Sequence, residues 1–578
     1  VSKGIVKKLT AAAGSATFAV LAMLVTAPGA MAAIAVTTTT DGAAGSLREA
    51  VEQAGTNETI VVPTGTYKLT LGELALTKSL SLVGSGPGAT VIEGSGSARV
   101  LKAMAPGELR LENMTIQGGR VHSSVAQGAG ILDTAGHLVL RNVAVVDNIA
   151  DRAEPGQSGG IAEGAGLTAR LEPRARVTIV NSTFFGNVAD ASGEGGGLAE
   201  GGAINMAGAG ALEISGSTFA GNKAVSRGGG VASGGALFIR DNSEPGSITN
   251  STIVENLVES GNLALGGGIW VGEGLKTFEI DRVTITGNKV HSTKATGAGG
   301  GIEGSGVEGN PLRVIGSTIV GNSADHGGNL QIGDATEFGD TVVSGGIGAS
   351  GEENCTKATR IVSLGFNLDS LAQCDFNAPG DIVDTDPQLG PLGANGGPTL
   401  TMLPAQTSPL VDAGSSFGLT TDQRGLPRPI DDPRVANSIV PGADGAEIGA
   451  VELPAQPPAA PQPPAPQPPA LPVTTTPTTM TSFRLDKLTK NAKTGTATVT
   501  VTFNVPATGV LTLSGSGLKA RSQKLAGVTS AQLILATTGK AHGALVAKGS
   551  RKVHFVVAFE PGGAGPQATG RTATLTLR

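Results

Sequence analysis

Asn181-Ser-Thr-Phe-Phe-Gly-Asn187 returns, with drift, as Gly216-Ser-Thr-Phe-Ala-Gly-Asn222, Asn250-Ser-Thr-Ile-Val-Glu-Asn256, Arg282-Val-Thr-Ile-Thr-Gly-Asn288 and Gly316-Ser-Thr-Ile-Val-Gly-Asn322. An earlier copy is Asn142-Val-Ala-Val-Val-Asp-Asn148. Between copies stands a second phrase: Gly201-Gly-Ala-Ile204, Gly234-Gly-Ala-Leu237, Gly266-Gly-Gly-Ile269, Gly299-Gly-Gly-Ile302. The copies recur roughly every 32–39 residues, the mark of a repeat architecture. Each phrase carries a short core in which apolar and polar residues alternate, the period of a half-buried strand. No amphipathic helix separates the strands, so each must pair with its equivalent one repeat on. The expected fold is all-β: a right-handed parallel β-helix, a stack in which each turn contacts only its neighbours. The 89 glycines fit the corners of such turns, where positive φ or close backbone approach is needed.

Asn148, Asn187, Asn222, Asn256, Asn288 and Asn322 would then stand one above another. Their amides, with two donors and one acceptor oxygen each, read as a structural ladder. The alternative, a row of ligand-binding amides, has no reason to recur at one corner of every turn.

Outward from the repeats, residues 1–32 read as a signal peptide. Lys3, Lys7 and Lys8 precede an apolar stretch from Ala11 to about Thr26, and Ala30-Met31-Ala32 is an A-x-A cleavage site. The expected address is secreted or extracellular, possible cell-wall association included, and not integral to a membrane. Ser46 and Glu49 have capping-box spacing, with Leu47, Ala50, Val51 and Ala54 on one face of the short helix they start. That helix is expected to close the first turn. Cys355 and Cys374 are the only cysteines and read as a disulfide in an exported protein. Closing that loop is worth on the order of 3 kcal/mol. Residues 33–452 are assigned to the β-helix, with a closing region over 354–452. Residues 453–480 form a proline-rich linker, and 481–578 a small Ig-like β-sandwich. That last domain carries about 13 Lys and Arg against about two acids, although the whole chain is at −6.

Several of these stretches resemble known families. Gly45-Ser-Leu-Arg-Glu-Ala50 with Ile60-Val-Val-Pro-Thr-Gly-Thr-Tyr67 resembles the CSLREA domain of bacterial exported proteins, with Gly45 in place of the name-giving Cys. The repeated phrases resemble those of polymorphic outer-membrane proteins and other pectin-lyase-like β-helices. Asn354-Cys355, Ser363–Asp369, Asp386–Leu392, Asn395–Thr399, Ser408–Gly414, Thr421-Asp-Gln-Arg-Gly425 and Ile448-Gly-Ala-Val-Glu452 are together similar to the choice-of-anchor Q domain. The resemblance implies a surface-exposed or secreted protein and no particular activity.

The functional expectation is an adhesion or binding protein for a polysaccharide or a cell-envelope polyanion, monomeric, without cofactor or metal. Nucleic acid is not expected, because the basic domain is poor in aromatics and has no recognisable binding motif. The alternative is a carbohydrate-active enzyme, a lyase or hydrolase. Asp147, Asp151, Asp190, Asp281 and Asp325, with Arg141, Arg227 and Arg282, are scattered and share no spacing; Asp147 and Asp281 read as solvated. No catalytic residue is assigned. His326 reads as a solvated loop residue. Trp270, the one tryptophan, is the ligand-contact candidate, because Ile269 pointing inward puts Trp270 outward.

Overall fold

The computed structural model describes residues 34–134, 136–152, 159–272, 275–294, 296–306, 309–348, 351–356 and 361–454. In the C-terminal part it describes 483–491, 496–515, 518–537, 551–561 and 569–577. The expected signal peptide and all of the proline-rich linker after residue 454 lie outside the described residues. The chain divides into two compact units, Val1–Pro461 and Gln462–Arg578.

The first unit is a parallel β-helix. One turn runs Ala211–Ser215 and Thr218–Ala220 on a first sheet, Lys223–Ser226 on a second, Val231–Ser233 on a third and Leu237–Arg240 on a fourth. Each strand pairs in parallel with its equivalent one turn later: Ile214 with Ile248, Thr218 with Thr252, Lys223 with Leu257, Val231 with Leu263, Leu237 with Ile269. Among the described residues the four sheets hold 22, 8, 6 and 9 strands.

The phrase explains the corners. Its first residue takes the left-handed conformation in Asn142, Asn181, Gly216, Asn250, Arg282 and Gly316, and its sixth does so in Asp147, Gly186, Gly221, Glu255, Gly287 and Gly321. Gly, Asn and Asp dominate both positions because they enter that region at least cost. Between the corners, Phe184, Phe219, Ile253, Ile285 and Ile319 point inward and are fully buried. They join one long core of Leu, Ile, Val and Phe between the first and fourth sheets. A second, narrow core lies between the second and third sheets and is nearly all alanine: Ala126, Ala150, Ala162, Ala189, Ala199, Ala224, Ala232 and Ala264. The second phrase sits at the pinch between the two cores. A Cβ on Gly235 would come within 2.2 Å of the Gly267 carbonyl oxygen and 3.0 Å of the Leu257 backbone, so no side chain fits there.

The six repeated asparagines stack in the buried corner between the first and second sheets. Asn222 is typical. Its Nδ2 donates to the Phe184 carbonyl at 3.0 Å and to Asn256 Oδ1 at 2.9 Å. Its Oδ1 accepts from the Asn187 backbone N–H at 3.1 Å and from Asn187 Nδ2 at 2.9 Å. The ladder runs beyond the phrase: Asn322 donates to Asn329, Asn329 to Asn354, and Asn354 to Asp369. A parallel serine row turns the other corner, with Ser182 accepting from Val143 N–H, Ser217 from Ser182 and Ser251 from Ser217.

At the N-terminal end, α1 (Leu47–Gln53) packs Leu47, Ala50 and Val51 onto the long core. Ser46 Oγ accepts from Glu49 N–H at 3.2 Å, and the Glu49 carboxylate accepts from Gly45 N–H. Lys78 Nζ donates to the carbonyls of Val51, Glu52 and Ala54, which ties down the last turn. At the other end the Cys355–Cys374 disulfide and Phe376 belong to the same core.

The expected closing region behaves differently along its length. Ile361–Gly365 and Leu368–Asp369 extend the first sheet. After Ile382–Val383 the chain turns back as a strap along the outer face of that sheet. Pro398 lies 3.5 Å from where a Cβ on Gly216 would sit. Thr399 Oγ1 donates to Asn250 O at 3.2 Å, and the Leu400 carbonyl accepts from Thr252 Oγ1 at 2.6 Å. Gln423 bridges two turns, donating to Ser251 O and Thr252 Oγ1, each at 3.0 Å, and accepting from Thr284 Oγ1 at 2.6 Å. Ala450 N–H donates to Thr318 Oγ1 at 3.1 Å. The row of phrase threonines, outward on the sheet, is therefore what the strap reads.

A buried charge network locks the strap. The Arg428 side chain is wholly inaccessible; it donates to Gly449 O at 2.8 Å, Glu447 O at 2.6 Å and the Asp340 carboxylate, and pairs with Glu452 Oε1 at 3.0 Å. Asp422 holds Arg424 Nη2 at 2.6 Å and accepts from Glu452 N–H at 3.1 Å. Burial and the adjacent Glu452 carboxylate push Glu447 up to about 10, so it enters the fold protonated. A carboxyl whose folded pKa is raised contributes stability that is present at acid pH and is lost as pH rises toward that value. Urea midpoints of the intact protein should fall from pH 5 to pH 9, and should fall less steeply in Glu447→Gln. Parallel pH profiles for the two proteins would contradict the assignment.

In the second unit, Thr496–Ser514 pairs antiparallel with Phe483–Asn491 through its first half, with Arg551–Pro561 through its second, and with Arg521–Ala536 along most of its length. Thr569–Leu577 completes the order beside Arg551–Pro561. The register breaks around Ala507. In place of two separate sheets, the described strands form one five-stranded hydrogen-bonded sheet, with a core of Val499, Val501, Phe503, Leu511, Leu533, Phe555 and Phe559.

Candidate functional site

The third and fourth sheets meet at an inside corner, set by left-handed glycines such as Gly164, Gly201, Gly234, Gly266 and Gly299. Side chains that point outward from both sheets converge there. Asn205 of the fourth sheet donates to the Glu200 carboxylate of the third at 3.1 Å, and Arg170 pairs with Glu163. Thr168 and Asn205 are fully buried and Glu163 nearly so, although all three face away from the cores.

Along the fourth sheet the outward positions align in register as Thr168, Asn205, Phe238, Trp270, Glu303 and Gln331. The row changes from polar to aromatic to acidic within a few turns. Phe238 and Trp270 stack with ring centroids 4.3 Å apart and planes inclined by 7°. The Arg240 guanidinium lies 5.6 Å from the Phe238 ring centre, within cation–π range. Gly272 makes room for the indole: a Cβ there would fall 2.4 Å from it. Trp270 Nε1 is shielded from solvent and has no acceptor among the described residues.

Beyond Trp270 opens a cavity of about 830 Å3, lined by Trp270, Arg240, Glu303, Gln331, His326 and Glu352 among others. Burial pushes Glu303 up to about 7, against a hydrogen bond from Gln331 that pulls it down. Glu303 can therefore take up or release its proton close to neutral pH. Burial also raises Glu200, with the Glu163 carboxylate adding to the effect and Arg240, Asn205 and Arg170 opposing it.

Trp270 faces outward, as its alternation with Ile269 predicts, and its partner Phe238 occupies the same place in the preceding copy of the second phrase. His326 stays partly exposed, as expected of a loop residue, but it has a partner. Its Nδ1 lies 2.8 Å from Glu352 Oε2 in the cavity wall, because the short turn after Asn322 folds it back against the loop before Asn354. The scattered acids and arginines stay scattered. Asp151 pairs with Arg120 and with His122 at 3.3 Å on the second sheet. Arg227 pairs with Glu259 at 2.7 Å. Asp190 caps Ser192 N–H at 2.8 Å, Asp325 accepts from Gly297 N–H at 3.0 Å, and Arg141 is exposed, 4.0 Å from Glu112. Asp147 is exposed at a corner. Asp281 is not solvated: burial against the strap side of the first sheet pushes it up to about 6, with Glu279 adding to the effect. Arg282 beside it donates to Asn250 Oδ1 at 2.9 Å. Among the described residues no three His, Cys, Asp or Glu side chains are grouped to hold a metal ion, and no helix is long and apolar enough to cross a membrane.

No family model matches the chain, and no curated protein matches it. Among solved structures it is similar to a mannuronic acid-specific polysaccharide family 6 lyase from human gut microbiota. That similarity covers 54% of this chain and 87% of the lyase, at 16% identity and a TM-score of 0.20.

Proposed function

We propose that the chain is an exported binding protein that holds a polysaccharide in the corner groove between its third and fourth sheets. The observation that carries this reading is the Phe238–Trp270 stack, one rung of which is covered and the other open toward the cavity at Glu303 and Gln331. An aromatic face beside convergent polar groups is the usual make-up of a sugar site. The disulfide and the signal-like leader support an extracellular address. The strap residues and the capping box are used here to hold the fold, which leaves the groove as the surface for function. The basic C-terminal unit is proposed to attach to an envelope polyanion, an attraction that salt weakens. Co-sedimentation of the intact protein with a panel of insoluble neutral, amino-sugar and uronic-acid polymers tests the groove reading. Retention on at least one class supports it, and recovery in the supernatant with every class contradicts it.

A second reading is a carbohydrate-active enzyme, favoured by one observation: Glu303 is poised near neutral pH in the same cavity as the His326–Glu352 pair. Release of new reducing or unsaturated ends from a bound polymer is its test.

A further inference from the structure

The groove is acidic where the ligand would lie. Glu163, Glu200, Asp241, Glu303 and Glu352 stand along it, against Arg170 and Arg240. Both arginines are already engaged: Arg170 pairs with Glu163, and Arg240 packs over Phe238 with Asp241 at 3.5 Å. Phe238 covers one face of the Trp270 ring at near-parallel stacking. The other face looks toward the next turn, where the register places Glu303 directly after Trp270 and Gln331 after that. Adjacent strands lie about 4.8 Å apart, so the Glu303 side chain stands one strand beyond the indole, and a sugar in the cavity against Trp270 meets its carboxyl.

We propose, resting on the polysaccharide reading above, that this groove selects a glycan of hexosamine units whose amines are free and protonated. An ammonium group is attracted both by an indole face and by a carboxylate. The Trp270–Glu303 pair offers both on consecutive strands. A uronate would bring a carboxylate into a row of carboxylates with no unengaged arginine beside it. An N-acetylated sugar would stack equally well but present a neutral amide to Glu303. Gln331 adds donor and acceptor groups for hydroxyls, and the indole N–H of Trp270 awaits an acceptor.

Because Trp270 is the one tryptophan in the chain, its fluorescence reports the site directly in the intact protein. The probes are a glucosamine hexamer, the N-acetylglucosamine hexamer, a mannuronate hexamer and hexalysine. The expected result is a saturable change in emission with the glucosamine hexamer, at least tenfold tighter than with the acetylated hexamer, and none with mannuronate or hexalysine. Glu303→Gln should abolish the tenfold preference. If that variant folds poorly, added salt should weaken the glucosamine isotherm and leave the acetylated one in place. Equal or tighter binding of the acetylated or uronate hexamer overturns the amine selectivity while leaving the groove reading standing. A hexalysine response equal to that of glucosamine overturns it as charge attraction alone. Silence with every glycan contradicts the groove reading as well.

Discussion

Replacing Asn222 with alanine should destabilise the β-helix by about 4 kcal/mol, since each buried group left without its partner costs about 1–3 kcal/mol. The substitution strands the backbone N–H and one side-chain N–H of Asn187, strips the Phe184 carbonyl of its donor and removes one donor from Asn256 Oδ1. All of these lie in a corner that water does not reach. Asn222→Asp sharpens the test. It keeps the acceptor for Asn187 but turns a carboxylate oxygen toward Asn256 Oδ1 and the Phe184 carbonyl, so its loss should ease at acid pH. Asn142 provides the contrast. It belongs to the same phrase but occupies a left-handed corner, with one side-chain bond to Asn113 at 2.7 Å. Asn142→Gly should change stability by no more than about 0.5–1 kcal/mol, since glycine takes that conformation freely. Urea midpoints of the three variants decide the matter; equal midpoints for Asn222→Ala and Asn142→Gly would remove the ladder from the account.

The second large effect is expected at Arg428. Arg428→Met leaves Asp340 and Glu452 buried with their partner gone, a loss of about 3–5 kcal/mol for breaking a buried pair. The loss should be local. The strap is held to the outer face by this network, by Gln423 and by the small apolar cluster of Val342, Leu368, Leu410 and Ile448. The long core behind the first sheet does not depend on Arg428. Limited proteolysis should therefore open new cleavage sites within 384–452 while the repeats stay intact. Adding Asp340→Asn to Arg428→Met should recover part of the loss, because the orphaned charge disappears with it. Unchanged proteolysis of Arg428→Met, or global unfolding with no strap-specific cuts, would show that the strap is held differently.

What could be read from the residues alone follows from how local each feature is. The phrase N-S-T-F-F-G-N contains its own instructions: two left-handed corners, one inward aromatic or aliphatic residue and one buried amide, all within seven residues. The stack follows because every copy gives the same instructions. The ladder members Asn329 and Asn354 escaped that logic because they stand in the second phrase rather than the first: Asn329 precedes Leu330, in register with Ile302 and Cys355, seven residues after Asn322 in the same turn. The strap escaped it entirely. Gln423 meets Thr252 across 171 residues, and nothing in Thr421-Asp-Gln-Arg-Gly425 names the threonine row it binds. The candidate groove stands between these cases. The position after Ile or Leu in the second phrase holds Phe238, Trp270 and Glu303 in successive copies, a pattern visible once the phrases are aligned. That it faces an inside corner depends on the angle between the third and fourth sheets, and that angle comes from glycine conformations and the narrow alanine core rather than from any one motif.

The claim on which the functional account turns is that the open face of Trp270 is where a glycan lies. It is tested most directly by comparing the intact protein with Trp270→Ala on whichever insoluble polymer retains the native chain, after circular dichroism has shown that the β-helix is unchanged. Truncating an exposed-face aromatic removes the stacking platform and leaves the inward core of Ile269 and Val271 in place. The account predicts at least a tenfold weaker retention of Trp270→Ala; retention equal to that of the native chain would contradict it.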